Sequence, residues 1–220
     1  MPPPLPASSN ALRRALGSPQ APATLGCYLD FSCPFSAKMY TRLFSPKSAI
    51  KSKYVDSEKL RLEFYHQVQP WHPQSALMHE AAIAAGEVGG DDAFWKGAEA
   101  LMENRERFTD TELVDKTRRE VSAELAALVA DACGLEKNEV LSLLELDPEA
   151  IARGEKNGGS KAIGLLKLSV KYGRQNGIHV SPTTTWNGLV VDTSSGWDDA
   201  AWSEFLDPLL EKAGKETPRL

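Results

Sequence analysis

Two adjoining segments of the chain read LGCYLDF, at Leu25–Phe31, and SCPFS, at Ser32–Ser36. The first is a short and mostly apolar run, which is typical of a buried strand. Pro34 suits the first position of a helix, because the N–H group that proline lacks has no partner there in any case. Apolar side chains then recur at helical spacing, at Met39, Tyr40 and Leu43. The sequence therefore predicts a buried strand that passes directly into a helix, with a cysteine at the junction.

A second strand and a long helical region follow. Apolar and polar residues alternate over Leu60–Val68, which predicts a strand. From Pro73 to about Asn176 every periodic segment has helical spacing, with breaks at Gly-Gly and Asp-Pro pairs. The predicted helices cover residues 75–85, 91–108, 110–134, 137–146 and 159–175.

The C-terminal part returns to strands. Asn187-Gly188 lies between two apolar runs and predicts a hairpin turn, because both residues tolerate positive φ. The flanking strands are predicted over Thr183–Trp186 and Leu189–Asp192, and a last amphipathic helix over Asp198–Ala213. The order predicts an α/β fold: βαβ, a large all-helical insertion, then ββα.

Composition limits the class of protein. The chain has 220 residues, 42% of them hydrophobic, and 25 basic against 30 acidic side chains give a net charge of −5. This acidic surplus argues against nucleic acid or an anionic membrane as the main partner, since either requires a clustered basic face. No stretch approaches the roughly 18 apolar residues that a membrane-spanning helix needs.

Three cysteines, Cys27, Cys33 and Cys133, form an odd set without the spacing of a disulfide framework or a zinc site. Cys33 stands out because a thiol at a helix start lies against unsatisfied N–H groups and the positive end of the helix dipole, which favour the thiolate. The alternative is that Cys33 packs as a small buried apolar residue. Cys27 lies six residues earlier, about 20 Å away along an extended strand.

The second candidate feature is the loop Ile178–Thr183, which leads into the hairpin. Pro182 lies at a strand start, where it cannot donate to the ladder, which leaves a cis peptide bond open at this position.

Taken together, these features resemble the thioredoxin fold of the DsbA-like family over roughly Leu25 to Ala213. The resemblance implies that Cys33 is the nucleophile of a Cys-x-x-Cys motif in which Ser36 replaces the resolving cysteine. It also implies that Val180, Ser181 and Pro182 form the cis-proline loop facing that motif. We accordingly expect a flexible leader at 1–24, a thioredoxin-like domain at 25–72 and 177–214, a helical insertion at 73–176 and a flexible tail at 215–220.

The same segment is also similar to kappa-class glutathione transferases and 2-hydroxychromene-2-carboxylate isomerases, which carry Ser-Pro-x-Ser here. This chain has a cysteine at the first position and a serine at the second, and so lies between the two branches.

A missing resolving thiol changes the expected chemistry. Ser36 cannot attack a mixed disulfide on Cys33, so an outside thiol must release it, and the resemblance points to glutathione as co-substrate. Ser36 is instead expected to donate its hydroxyl to the Cys33 thiolate, and the backbone of Ser181 to pair with the glutathione peptide. The resemblance therefore implies a thiol-dependent oxidoreductase or a glutathione-dependent transferase with Cys33 as its single nucleophile. Two alternatives stay open: a glutathione-dependent isomerase, and a binding or scaffold protein that has lost the chemistry.

The loop Gln69–Ser75 enters the helical insertion and, in this fold, passes the first helix. Trp71 is expected as an apolar wall and His72 as a proton donor or acceptor, although two prolines also suit a merely rigid connector. The predicted substrate and glutathione site comprises Pro34, Phe35, Trp71, His72, Val180, Ser181 and Pro182, without a metal.

The expected partners are a small thiol or electrophile. A cytoplasmic location is expected, with mitochondrial and peroxisomal locations as alternatives, and the oligomeric state, including a homodimer, stays open.

Overall fold

A computed structural model describes residues 13–215 and contains, within that range, one five-stranded mixed sheet. The strands lie in the order β1-β3-β2-β4-β5, and only β2 and β3 run parallel among the neighbouring pairs. Their bounds are β1 Arg13–Leu16, β2 Thr24–Leu29, β3 Arg61–His66, β4 Thr183–Trp186 and β5 Leu189–Val191.

Helices follow the predicted order and confirm the α/β thioredoxin-like fold with its helical insertion. They are α1 Pro34–Leu43, α2 Ser75–Glu103, α3 Asp110–Leu113, α4 Arg118–Cys133, α5 Lys137–Leu144, α6 Pro148–Ala152, α7 Ile163–Gln175 and α8 Asp199–Ala213. A short π-helical turn at Lys51–Val55 and a 3-10 turn at Arg105–Phe108 accompany them.

Several helix boundaries differ from the prediction: α6 was not expected, the helix expected at 159–175 begins at Ile163, and two long helices are divided differently. The helices expected at 75–85 and 91–108 are the halves of α2, which continues through Gly90 and bends there because this residue has φ 75°. The helix expected at 110–134 is divided into α3 and α4, because Thr117 caps a new start through reciprocal hydrogen bonds with Glu120.

Strand β1 lies inside the segment 1–24, for which a flexible leader was expected, so that expectation is wrong for Arg13–Leu16. The strand pairs antiparallel with β3, and its two arginines form ion pairs: Arg13 with Glu63, and Arg14 with Glu87 and Asp91. The remainder of the predicted leader up to residue 12, and the tail at 216–220, lie outside the described residues.

The two faces of the sheet are packed differently. Leu62 and Phe64 of β3 join a large core with Tyr40 of α1, with Phe44 directly after it, and with α2. On the opposite face, three tyrosine rings stack in sequence, from Tyr28 through Tyr65 to Tyr172 of α7.

Sheet topology brings three connections to one edge. The parallel strands β2 and β3 end there, and they lead into α1 and into the loop before α2. Strand β4 runs antiparallel to β2, with Thr183 opposite Tyr28, so β4 begins at the same edge. The segments containing Cys33, His72 and Pro182 therefore share one end of the sheet. No helix within residues 13–215 is long and apolar enough to cross a membrane.

Candidate functional site

Cys33 occupies the N-cap of α1, as the sequence predicted. Its backbone is extended, its carbonyl accepts the first helical hydrogen bond from Ala37, and Pro34 follows in the first turn. The side chain is 5% exposed, and its sulfur lies 3.6 Å from the carbonyl oxygen of Ser181. The thiol is therefore held at the helix start, where backbone N–H groups point towards an anion.

The loop facing Cys33 contains the predicted cis peptide bond, between Ser181 and Pro182. The Thr183 hydroxyl donates to the carbonyl of Val180 at 2.7 Å, which closes the loop, and the Val180 side chain is exposed. The Ser181 hydroxyl oxygen is buried and has no hydrogen-bond partner among the described residues. The fold thus brings Cys33 together with Val180, Ser181 and Pro182, which are 147 to 149 positions later in the chain.

Ser36 is fully buried in the first turn of α1. Its hydroxyl oxygen accepts a hydrogen bond from the backbone N–H of Asp30 at 3.2 Å. This bond ties the first turn of α1 to the end of β2. The expected donation from Ser36 to a Cys33 thiolate stays a prediction, since the sulfur contacts Ser181 instead.

Asp30 is a functional candidate that sequence reasoning missed. Its side chain is completely buried, and its carboxylate accepts hydrogen bonds at 2.6–2.9 Å from four donors: the backbone N–H groups of Ser32 and Gln69, the Ser75 hydroxyl and the His72 ring. A buried carboxylate is stabilised by such a set of donors. The available signal was an acidic residue inside the mostly apolar run Leu25–Phe31.

His72 is held by this carboxylate, with its Nδ1 atom 2.9 Å from Asp30 Oδ2. A carboxylate oxygen accepts in this contact, so the ring donates from Nδ1 and leaves Nε2 for another partner. Ser32, next to Cys33, binds the other oxygen of the same carboxylate. Asp30 thereby connects the loop of His72 to the loop of Cys33.

Apolar side chains at this edge project into solvent from the first turn of α1 and from the two facing loops. Phe35 is 56% exposed, Trp71 62% and Val180 52%, and the Trp71 ring makes an edge contact with His72. Pro34 is also exposed. Large exposed apolar side chains that flank one reactive group are typical of a binding surface.

Two further histidines lie behind Asp30. His66 of β3 and His79 of α2 are buried, with their Nδ1 atoms 2.6 Å apart, and His79 Nε2 is 3.9 Å from Asp30 Oδ1. Burial lowers the pKa of His66 to about 3 and that of His79 well below its ordinary value. Both rings are therefore neutral near pH 7, as members of the core.

The other two cysteines are placed away from this chemistry. Cys27 is fully buried on β2, and burial, with Glu63 nearby, raises the pKa of its thiol. Cys133 is partly buried at the end of α4 and donates to the carbonyl of Ala93, and burial raises its pKa as well. All three cysteines are free.

A cysteine at the start of the first helix, opposite a cis-proline loop on this sheet, defines the thioredoxin-fold class of disulfide oxidoreductases. A family model described as Thioredoxin (Thioredoxin_4) matches residues 9–207, and the chain belongs to this DsbA-like family.

Solved structures agree with the family assignment. A protein of Pseudomonas syringae assigned as a protein-disulfide isomerase has 27% identity and a TM-score of 0.66, over 90% of this chain and 98% of that one. BdbD of Bacillus subtilis has 21% identity and a TM-score of 0.64, over 95% and 96%. The alpha-DsbA1 protein of Wolbachia pipientis has 19% identity and a TM-score of 0.61, over 95% and 94%. A comparison with curated proteins gave no match.

Proposed function

We propose that this protein is a monothiol oxidoreductase that transfers glutathione between disulfides and thiols through Cys33. The observation that carries the proposal is Ser36, which is buried in the first turn of α1 where a second cysteine would complete the motif. A serine hydroxyl cannot attack a disulfide, so a mixed disulfide on Cys33 must be released by a thiol from solution.

The reaction has two balanced exchanges. In the first, the Cys33 thiolate attacks the glutathione sulfur of a mixed disulfide, forming a bond between Cys33 and glutathione and releasing the substrate as a thiolate. In the second, a free glutathione thiolate attacks the bound glutathione sulfur, which releases oxidised glutathione and restores the Cys33 thiolate. The mixed disulfide of the substrate is reduced to a thiol and one free glutathione thiol is consumed, because the other half of the oxidised glutathione comes from the mixed disulfide.

His72 supports the proton transfers of this cycle. Attack needs a thiolate, and the departing substrate thiolate takes up a proton. A ring whose Nδ1 proton is fixed by Asp30 has Nε2 available to remove a proton and to return it later. The geometry of a buried carboxylate behind a partly exposed imidazole suits this role.

Ser181 supports recognition of the bound glutathione. In the free protein its carbonyl is the acceptor for the Cys33 thiol. Once the sulfur is in a disulfide there is no S–H group, and the carbonyl becomes available to accept an N–H group of the glutathione backbone, as in a short added strand.

Mass spectrometry of the intact protein tests this function. Incubation with oxidised glutathione should add one glutathione, peptide mapping should place it on Cys33, and reduced glutathione should remove it. Cys33→Ser should form no such adduct, whereas Cys133→Ser should behave as the native chain. Modification at Cys27 or Cys133 instead, or a Cys33 adduct that free glutathione cannot remove, would contradict the proposal.

A further inference from the structure

A groove of about 540 Å³ lies beside the candidate site, between α7 and the segment that follows β3. Its apolar lining comes from both walls: Val68, Pro70 and Ala76 on one side, and Ile163, Leu166 and Val170 of α7 on the other. We call it the α7 groove. Its size is within the range of pockets that bind small molecules or short peptide segments.

The charged side chains that line the α7 groove are all positive. Lys167, Lys171 and Arg174 line it, together with Gln175, and none of the lining residues is acidic. The three cations are spaced by four and three residues, so they lie on the same face of α7. In a chain with a net charge of −5, this is a local concentration of positive charge beside an apolar floor.

Both walls of the α7 groove lead directly to the residues of the site. Pro70 precedes Trp71 and His72, and His72 is bound to Asp30. On the other wall, Gln175 is the last residue of α7, and the chain reaches Ser181 six residues later. The α7 groove is therefore connected along the chain to both loops of the site, and Trp71, which follows Pro70, is exposed.

Building on the monothiol reaction proposed above, we propose that the α7 groove binds a segment of a polypeptide substrate in which acidic residues alternate with apolar ones, beside the glutathionylated cysteine. The chemistry of the groove favours this occupant. Glutathione brings no apolar side chain for the aliphatic floor, and an acyl chain with one carboxylate would bring a single negative charge to a wall on which Lys167 and Arg174 each carry a positive charge. A peptide with acidic and apolar side chains can contact both the cations and the apolar floor of the groove.

Binding without redox chemistry tests the groove independently of Cys33. Two cysteine-free peptides of equal length, one of glutamate and leucine and one of lysine and leucine, would be titrated into the native protein by calorimetry. The acidic peptide should bind about tenfold more tightly at low ionic strength, and added salt should reduce the difference. Equal affinities, or a long-chain carboxylate that binds where the acidic peptide does not, would overturn the inference.

Charge reversal locates the binding surface. In the variant Lys167→Glu/Arg174→Glu the preference should invert, so that the lysine peptide binds more tightly. The control variant Arg119→Glu/Lys137→Glu makes the same change in net charge at exposed positions of α4 and α5, and it should keep the native preference. An inverted preference in the control, or an unchanged one in the groove variant, would count against the α7 groove.

A kinetic experiment tests this inference and the proposed function separately. Versions of the two peptides that carry a glutathionylated cysteine should differ in kcat/KM by about the same tenfold as in affinity, in favour of the acidic peptide. If neither is turned over, the monothiol reaction fails while the binding experiments still decide the groove. If both are turned over equally, the reaction stands and the groove inference fails.

Discussion

The sulfur of Cys33 lies 3.6 Å from the carbonyl oxygen of Ser181, across the cis peptide bond that precedes Pro182. This contact joins the start of α1 to the loop before β4. It places the reactive thiol beside backbone groups that can pair with an incoming peptide.

Ser36→Cys should convert the monothiol site into a dithiol site. A cysteine at this position is three residues from Cys33 in the same turn, and it can attack a mixed disulfide on Cys33 directly. We expect turnover to lose its dependence on free glutathione, measured as initial rate against glutathione concentration. Thiol titration should show that Cys33 and the introduced thiol oxidise together.

The control for this change is Ser36→Ala, which should remain dependent on glutathione. Ser36→Ala removes the hydrogen bond that the Ser36 hydroxyl accepts from the Asp30 backbone and Ser36→Cys weakens it, so both variants should be less stable by about 1 kcal/mol. A Ser36→Cys protein that still needs glutathione for every turnover would contradict the assigned role of position 36.

Asp30→Asn should destabilise the protein strongly. Asparagine has the shape of aspartate, but its NH2 group is a donor and would face groups that donate to a carboxylate oxygen in the native protein. The substitution also removes the negative charge from the four hydrogen bonds. We expect the free energy of unfolding to fall by about 3 kcal/mol in urea denaturation. The matched change Asp92→Asn, at an exposed pair with Lys96, should cost less than about 1 kcal/mol.

The Asp30 variant also distinguishes a positioning residue from a purely structural one. If Asp30 fixes the proton of His72 on Nδ1, the pH profile of kcat/KM for the remaining folded enzyme should change together with that of His72→Gln. A destabilised Asp30→Asn protein with an unchanged pH profile would restrict the carboxylate to a structural role.

The parts of the structure that were predicted correctly from the sequence depend on residues that are close together in the chain. The apolar run before Pro34 and the turn pair Asn187-Gly188 act over a few residues, and strand β4 has the predicted bounds, Thr183–Trp186. Strand β1 was missed because its residues do not alternate, and its partners Glu63 and Asp91 are distant in sequence. The bond between Asp30 and His72 spans 42 residues and depends on the meeting of β2 and β3 at one edge.

The buried histidine pair should make stability depend on pH. The pKa of His66 is about 3 in the folded protein, against an ordinary value of about 6.5 in the unfolded chain. Between these values the unfolded chain binds a proton that the folded protein does not, so the free energy of unfolding should decrease as the pH falls below about 6.5. Each such histidine contributes up to about 1.4 kcal/mol per pH unit.

His66→Gln tests this dependence, because the glutamine amide can still donate to Nδ1 of His79 but does not titrate. Urea denaturation between about pH 7 and about pH 5 should show a pH slope that is smaller than in the native protein by about one proton. His179→Gln removes a histidine from an exposed loop and should leave the contribution of the buried pair intact. An identical slope in the native and His66→Gln proteins would contradict the burial argument.

Ser181→Ala should weaken the binding of glutathione without lowering the free energy of unfolding. The hydroxyl of Ser181 is buried without a partner among the described residues, and an unsatisfied buried polar group destabilises by about 1–3 kcal/mol. Removing it should therefore leave the free energy of unfolding unchanged or raise it. If bound glutathione supplies the missing partner, the same change should raise the KM for glutathione about fivefold to tenfold, the cost of one hydrogen bond. A lower free energy of unfolding would mean that the hydroxyl already has a partner, such as an ordered water. An unchanged KM for glutathione would mean that bound glutathione does not contact the hydroxyl.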